Sequence, residues 1–216
     1  MNYIAARRQE EKTRRRADIL DAAEQVAAAE GLEALTMEDV ARQARLSRAL
    51  LYVYFRDKLD LQDAMAERAL RELHARFVAA VAAHPRGVDQ LVAMGRAYVA
   101  FGAEAPVQFD VLARCEARAA LPTGEDDDNA AAVLQAGARV HALMIDSIRA
   151  GIGDGSIAPD AGDPGTVAVT LWGLMHGVCQ ILRMKAGALA YYGIAPEALV
   201  EQALALARSG LATRTT

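Results

Sequence analysis

An all-α protein is expected, and three observations predict it. Alanine, leucine, arginine and glutamate recur, while the chain holds only four phenylalanines and one tryptophan, a composition that favours helices over sheets. Apolar residues return every three or four positions, and no run of useful length alternates with period two. Glycine, proline and short polar clusters fall between the periodic stretches, where helices need stops. The 216 residues suffice for one large domain or two small ones.

The first helix is expected over Gln9–Glu30, because Ile19, Ala23, Val26 and Ala27 share a face and Gly31 supplies the stop. Thr36 followed by Asp39 has capping-box spacing, with Asp in place of the commoner Glu. A short helix then spans Met37–Gln43 with Met37, Val40 and Ala41 inward. Ser47 is a second N-cap, four residues on, for a helix of about eight residues ending near Phe55. Leu61, Met65, Ala69, Leu73 and Phe77 recur every four residues and predict a long helix from Lys58 to Ala82, ended by "HPRG" at 84–87. Further helices are expected near Val88–Phe101, Val107–Arg118, Asn129–Ile152, Pro164–Lys185 and Pro196–Ser209. "PTGEDDDN" and "GIGDGSIAPDAGDPG" between them read as loops, and the acidic run Glu125–Asp128 as a solvated one.

Two short helices joined by a tight turn are the helix-turn-helix signature. The second helix of that motif lies in the DNA major groove, with its N-terminal residues at base edges. The stretch "LSRALLYVYFRDK" interleaves rings and cations. Its two faces separate them. Leu50, Leu51 and Phe55 should point inward, while Ser47, Arg48, Ala49 and Tyr52 present the outer side. Arg48 can pair two donors with guanine O6 and N7, and Ala49 is small enough to meet a thymine methyl. Tyr54 and Lys58 sit where a phenol and an ammonium can grip phosphate. Net charge is −4 overall, but the first 16 residues carry six basic side chains against two acidic ones. That local excess, ahead of the reading head, suits a polyanion or a solvated arm.

The run "TMEDVARQARLSRALLYVYFRDKLDL" resembles the DNA-binding region of the TetR family of bacterial transcriptional regulators. The residues that carry the likeness are Thr36, Val40, Ala41, Ala44, Ser47, Tyr52, Phe55, Lys58 and Leu61. It covers about residues 14–62, and the rest of the chain agrees in length and helical pattern. The resemblance implies a DNA-binding domain at 1–57 and a helical ligand-binding and dimerisation domain at 58–216. It also implies a homodimer on a palindromic double-stranded operator and, usually, repression relieved by a small molecule. Thr36 and Arg45 join the DNA-contacting set. Family members commonly carry Gly where this chain has Arg45; a positive φ there would cost roughly 1–2 kcal/mol unless a phosphate contact offsets it.

The C-terminal region places Tyr98, Phe101, Phe109 and Cys115 at inward positions, followed by His141, Met144, Leu171 and Trp172, then Met175, His176 and Cys179. They suggest an apolar pocket with a few polar handles, His141 or His176 among them, for a small, mostly apolar ligand. Between Asp163 and Arg183 lie 19 residues without a formal charge. That length is a membrane-span candidate. Pro164, Gly165, Thr166, Thr170, His176 and Gln180 within it favour a soluble helix buried on nearly all sides. Gly173 and Gly177 form GxxxG, which permits close helix approach at a subunit interface or within one subunit. Leu199, Val200, Ala203, Leu204 and Ala207 supply a matching stripe, so these two helices are expected to dimerise the chain.

Other classes find little support. Cys115 and Cys179 form no CxxC pattern, and a reduced cytosolic protein is the simplest reading. The N-terminus has no apolar signal core. No HxxxH or Cys/His cluster indicates a metal, "GIGDGS" matches neither GxGxxG nor a P-loop, and no GxSxG occurs. No cofactor and no catalytic residue is therefore expected. A helical enzyme using His141, His176 and a cysteine is the remote alternative and leaves the basic helix-turn-helix unexplained. An activator, or a regulator that answers to no ligand, is the nearer alternative.

Overall fold

The computed structural model describes residues 3–116 and 128–212 and contains ten helices and no strand among them. They are α1 (Tyr3–Glu30), α2 (Met37–Gln43), α3 (Arg48–Tyr54), α4 (Lys58–Ala82), α5 (Gly87–Glu104), α6 (Pro106–Glu116), α7 (Asp128–Gly153), α8 (Pro164–Met184), α9 (Ala186–Tyr191) and α10 (Pro196–Leu211). Helix α1 starts at Tyr3, six residues before the expected Gln9, so the arginine-rich start is helical. Helix α9 was not foreseen; its six residues are too few to show a period. Asp128 opens α7 instead of closing a loop. The rest of the expected acidic run, Glu125–Asp127, and the expected end of α6 at Arg118 lie outside the described residues.

The chain forms two compact units. The first holds Met1–Leu70 and Ala105–Gln135. The division between Leu70 and Arg71 falls inside α4, and α6 groups with the N-terminal helices because it packs on α1. Its core includes Ile19, Ala23, Leu35, Val40, Leu51, Phe55, Leu61, Met65, Phe109 and Leu112. Every residue from Asp60 to Ala66 is buried, so the start of α4 is the central post of this unit. Asp60 is held on all sides: the Arg56 N–H donates to one oxygen at 2.9 Å and Asn129 Nδ2 to the other at 2.7 Å. Arg16, whose guanidinium lies 4.7 Å above the Phe55 ring, donates in turn to Asn129 Oδ1.

The second unit holds Arg71–Glu104 and Ala136–Thr216. Helices α5, α8 and α10 pack on one another. The start of α5 crosses α7 at a glycine pair: a Cβ on Gly87 would lie 2.2 Å from the Gly151 nitrogen. The loop after α7 caps α5 there, with Gly87 N–H donating to Asp154 at 2.8 Å and Val88 N–H to Ser156 Oγ at 3.1 Å. Hydrogen bonds from the Ser156 side chain, the largest cause, and then from the Gly87 N–H hold the Asp154 carboxyl below the usual range. Helix α8 starts on Pro164 with Asp163 as N-cap. It is long and apolar enough to cross a membrane by length and composition, but only a third of that stretch is buried. The expectation of burial on nearly all sides is corrected. One face, with Trp172, Met175, Val178 and Cys179, is in the core, and the other is open.

Candidate nucleic-acid interface and inner cavity

Two capped starts and one left-handed turn set the relation of α2 to α3. Thr36 Oγ1 accepts from the Asp39 N–H at 3.2 Å, and its hydroxyl donates to the Asp39 carboxylate. Ser47 Oγ accepts from the Leu50 N–H at 3.2 Å. Each cap satisfies an N–H left open at a helix start. Helix α2 closes with Leu46 N–H donating to the Ala41 carbonyl at 2.9 Å and Arg45 N–H to that of Arg42 at 3.1 Å. This is the Schellman pattern, which requires a left-handed residue after the helix. That residue is Arg45, with φ +55°, the one non-glycine at positive φ among the described residues. A costly backbone is thus spent on an exposed cation at the turn.

Helix α3 buries Leu51, with Phe55 buried just beyond it, and exposes Arg48, Ala49, Tyr52 and Val53. The Arg48 guanidinium stacks 5.8 Å from the Tyr52 ring centroid and 4.0 Å from Glu38, which orients its planar fork before any partner arrives. Leu50 is corrected: it is 39% exposed and lies on the outer side. Val53, 74% exposed, was missed. Its signal is positional, since burying 51 and 55 turns 53 to the opposite side of the helix. Val53 stands one helical turn beyond Ala49, so these two aliphatic side chains share an exposed side of α3. Tyr54 is half-buried. Lys58 Nζ donates to the Glu33 carbonyl at 2.8 Å, which ties α4 to the α1–α2 loop and leaves the ammonium two further donors.

The second unit contains a cavity of about 30 Å³, room for a water or two. Ligand pockets are typically about ten times larger or more. Of the residues expected to face inward, Tyr98, Met144, Leu171, Trp172 and Met175 line it, together with further residues of α5 and α10. Other expected residues do not. Phe109 and Cys115 belong to the first unit, because α6 packs on α1. Phe101 is buried under the Arg76 guanidinium, 5.5 Å away. Cys179 is a core thiol whose pKa burial pushes up to about 12.

The two histidines lie beside the cavity instead of on its wall. His141 bonds the Gly137 carbonyl through Nδ1 at 3.0 Å and sits 5.3 Å from the Trp172 ring. Gln180 lies 3.2 Å from His176 Nε2, and Tyr98 Oη lies 2.8 Å from Nδ1. Burial pushes the His176 pKa down. The charged residue on the cavity wall is Arg208, paired with Asp89.

The intended dimer positions divide. Ala203 and Leu204 are corrected: both are buried within their own unit, and Leu204 lines the cavity. Leu199 is half-buried. Gly173 and Gly177 face open space, since a Cβ on either would meet nothing within 4 Å. That removes tight packing inside one subunit as the reason for GxxxG. The same outer face of α8 carries Val169, Leu174, Ile181 and Met184, all exposed and none charged.

A short exposed helix set by two caps and a Schellman turn, followed by a separate helical unit, defines a helix-turn-helix DNA-binding protein with an added all-helical domain. The profile described as "Bacterial regulatory proteins, tetR family" matches residues 19–65, and that described as "Tetracyclin repressor-like, C-terminal domain" matches residues 91–209. The chain belongs to the TetR family. No curated protein sequence matches it. A Rhodococcus sp. RHA1 protein of unknown function is similar at 24% identity and TM-score 0.74, over 92% of this chain and 96% of that one. The ketosteroid transcriptional regulator KstR2 of Mycobacterium tuberculosis aligns at 20% identity and TM-score 0.65, over 93% and 96%. The transcriptional regulator FadR from Bacillus subtilis, in complex with stearoyl-CoA, aligns at 16% identity and TM-score 0.68, over 90% and 98%.

Proposed function

We propose that the protein is a cytoplasmic, non-enzymatic, homodimeric repressor that binds a palindromic operator and is released by a small, mostly apolar ligand. The observation that carries the DNA-binding part is the outer side of α3, where Arg48, Ala49, Tyr52 and Val53 stand exposed between two rigid caps. Arg48 reads a guanine, Ala49 and Val53 meet methyl groups, and Arg45, Ser47, Tyr54 and Lys58 hold phosphates. Thr36 acts through the α2 cap and presents the start of that helix. Two such heads must stand one helical turn, about 34 Å, or a multiple apart on B-DNA. The open GxxxG face of α8 joins the subunits, with the outer side of α10 around Leu206 beside it. A ligand in the second unit acts through α4, which runs from Lys58 into both units, and changes the spacing of the heads. The KstR2 and FadR names, one a ketosteroid regulator and one bound to an acyl-CoA, support an apolar ligand for this fold.

The test is a gel shift of the purified protein on DNA from upstream of its own gene, with and without candidate apolar ligands. A sequence-specific shift of dimer stoichiometry is expected. A shift equal on shuffled DNA would overturn the operator reading.

A further inference from the structure

Helices α5 and α10 are strapped together by two ion pairs spaced seven residues apart on each helix: Asp89 with Arg208, and Arg96 with Glu201. The pairing runs in opposite chain directions, so the helices are antiparallel. Both arginines are about half exposed, and ion pairs so wet hold weakly. Between the straps, Gly95 lets Leu204 sink in. A Cβ on Gly95 would lie 2.6 Å from Leu204 Cδ2 and 3.7 Å from Met175 Cε. Leu204 therefore stands where a larger cavity would open, against the flexible side chains of Met94, Met144 and Met175.

We infer that the cavity takes an amphipathic monoanion, whose apolar body replaces Leu204 and whose carboxylate-type head pairs with Arg208. This rests on the ligand-sensing reading above. The wall around Leu91, Met94, Tyr98, Trp172 and Met175 offers no charge and few polar atoms, so a sugar or a polar cation would lose its hydration there without return. Arg208, at the edge, offers the planar fork that grips a carboxylate with two parallel bonds. Its present partner is exchangeable. Asp89 lies in the first turn of α5 and is partly exposed, so it keeps a favourable place at the helix start when Arg208 turns to a ligand. The Tyr98 hydroxyl is hydrogen-bonded to His176 and is not the anchor.

The experiment titrates the full chain with decanoate and with decanol, both below micelle-forming concentrations, by calorimetry and by melting temperature. Decanoate is expected to bind the wild type about tenfold or more tightly than decanol, which is the scale of a charge-assisted pair. Arg208→Gln should bring the two to parity, Arg208→Lys should restore part of the preference, and Leu204→Ala should tighten both. Equal binding of acid and alcohol by the wild type, or an acid preference that survives in Arg208→Gln, overturns the anionic-head inference and leaves ligand sensing standing. No binding of either, by wild type and Leu204→Ala alike, overturns both. Should Arg208→Gln melt far below wild type, Asp89→Asn supplies the second arm: freeing Arg208 from its partner should tighten decanoate and leave decanol unchanged, and no such split counts against the inference.

Discussion

Replacing Gly173 and Gly177 with alanine should stabilise the subunit and weaken the dimer. Each glycine sits inside α8, and a Cβ at either position meets no atom within 4 Å beyond its own turn of helix backbone. In the isolated subunit the exchange is therefore free of clash and gains about 1 kcal/mol of helix propensity per site, about 2 kcal/mol together. In the proposed dimer the sign reverses. Val169, Leu174, Ile181 and Met184 flank the glycines with exposures from 37% to 73%, and two such faces meet closely only where side chains are missing. In the proposed dimer, four new methyl groups would enter the two-fold interface. At the lower end of overpacking, about 1 kcal/mol each, they oppose association by about 4 kcal/mol, or roughly a thousandfold in dissociation constant. Sedimentation equilibrium over a dilution series reads that constant, and thermal melts of the dissociated protein read the subunit gain. A variant that dimerises as tightly as wild type while gaining stability would place α8 outside the interface.

Further outcomes follow from single contacts. Lys58→Ala should flatten the salt dependence of DNA binding by about one unit per half-site; an unchanged slope would leave Lys58 only its bond to the Glu33 carbonyl. The depressed His176 pKa means the unfolded chain binds this proton more readily than the folded one. Stability should therefore be fully present above the ordinary value of 6.5 and fall as pH drops from there toward the folded pKa. His176→Gln should remove that part of the dependence in melts between neutral and mildly acidic pH, and an unaltered profile would exclude His176 as its source. Gly87→Ala forces a methyl group within 2.4 Å of three α7 backbone atoms and stretches the caps from Asp154 and Ser156. A loss of about 3 kcal/mol, or roughly 6–12 °C in melting temperature, is expected; a shift under about 2 °C would refute the close crossing.

The helix-turn-helix was legible because its signals are local. Thr36 and Ser47 announce caps by residue type and spacing, and the buried pair Leu51 and Phe55 fixes which side of α3 remains outside. Even the strained turn could be anticipated at Arg45. Failure began where a residue's fate depends on which neighbour covers it. Leu50 belongs to an apolar dipeptide, yet the helix turns it out. Ala203 and Leu204 do form a stripe, but the stripe faces α5 and the cavity, while Leu206 takes the outer side. Phe109 and Cys115 lie on α6, whose attachment to α1 no period encodes. His141 and His176 drew notice as polar handles in an apolar region, whereas Arg208, on a helix with ordinary surface charges, reaches the wall only through the long-range pairing of α10 with α5.

Base reading by Arg48 is what the proposed operator recognition depends on most. Anisotropy titrations at one fixed salt concentration compare wild type and Arg48→Ala on upstream DNA and on shuffled DNA of equal length. The variant is expected to lose about 1–3 kcal/mol, roughly 5- to 150-fold, on the upstream sequence and much less on the shuffled one. An equal loss on both sequences would contradict it and make Arg48 a phosphate contact.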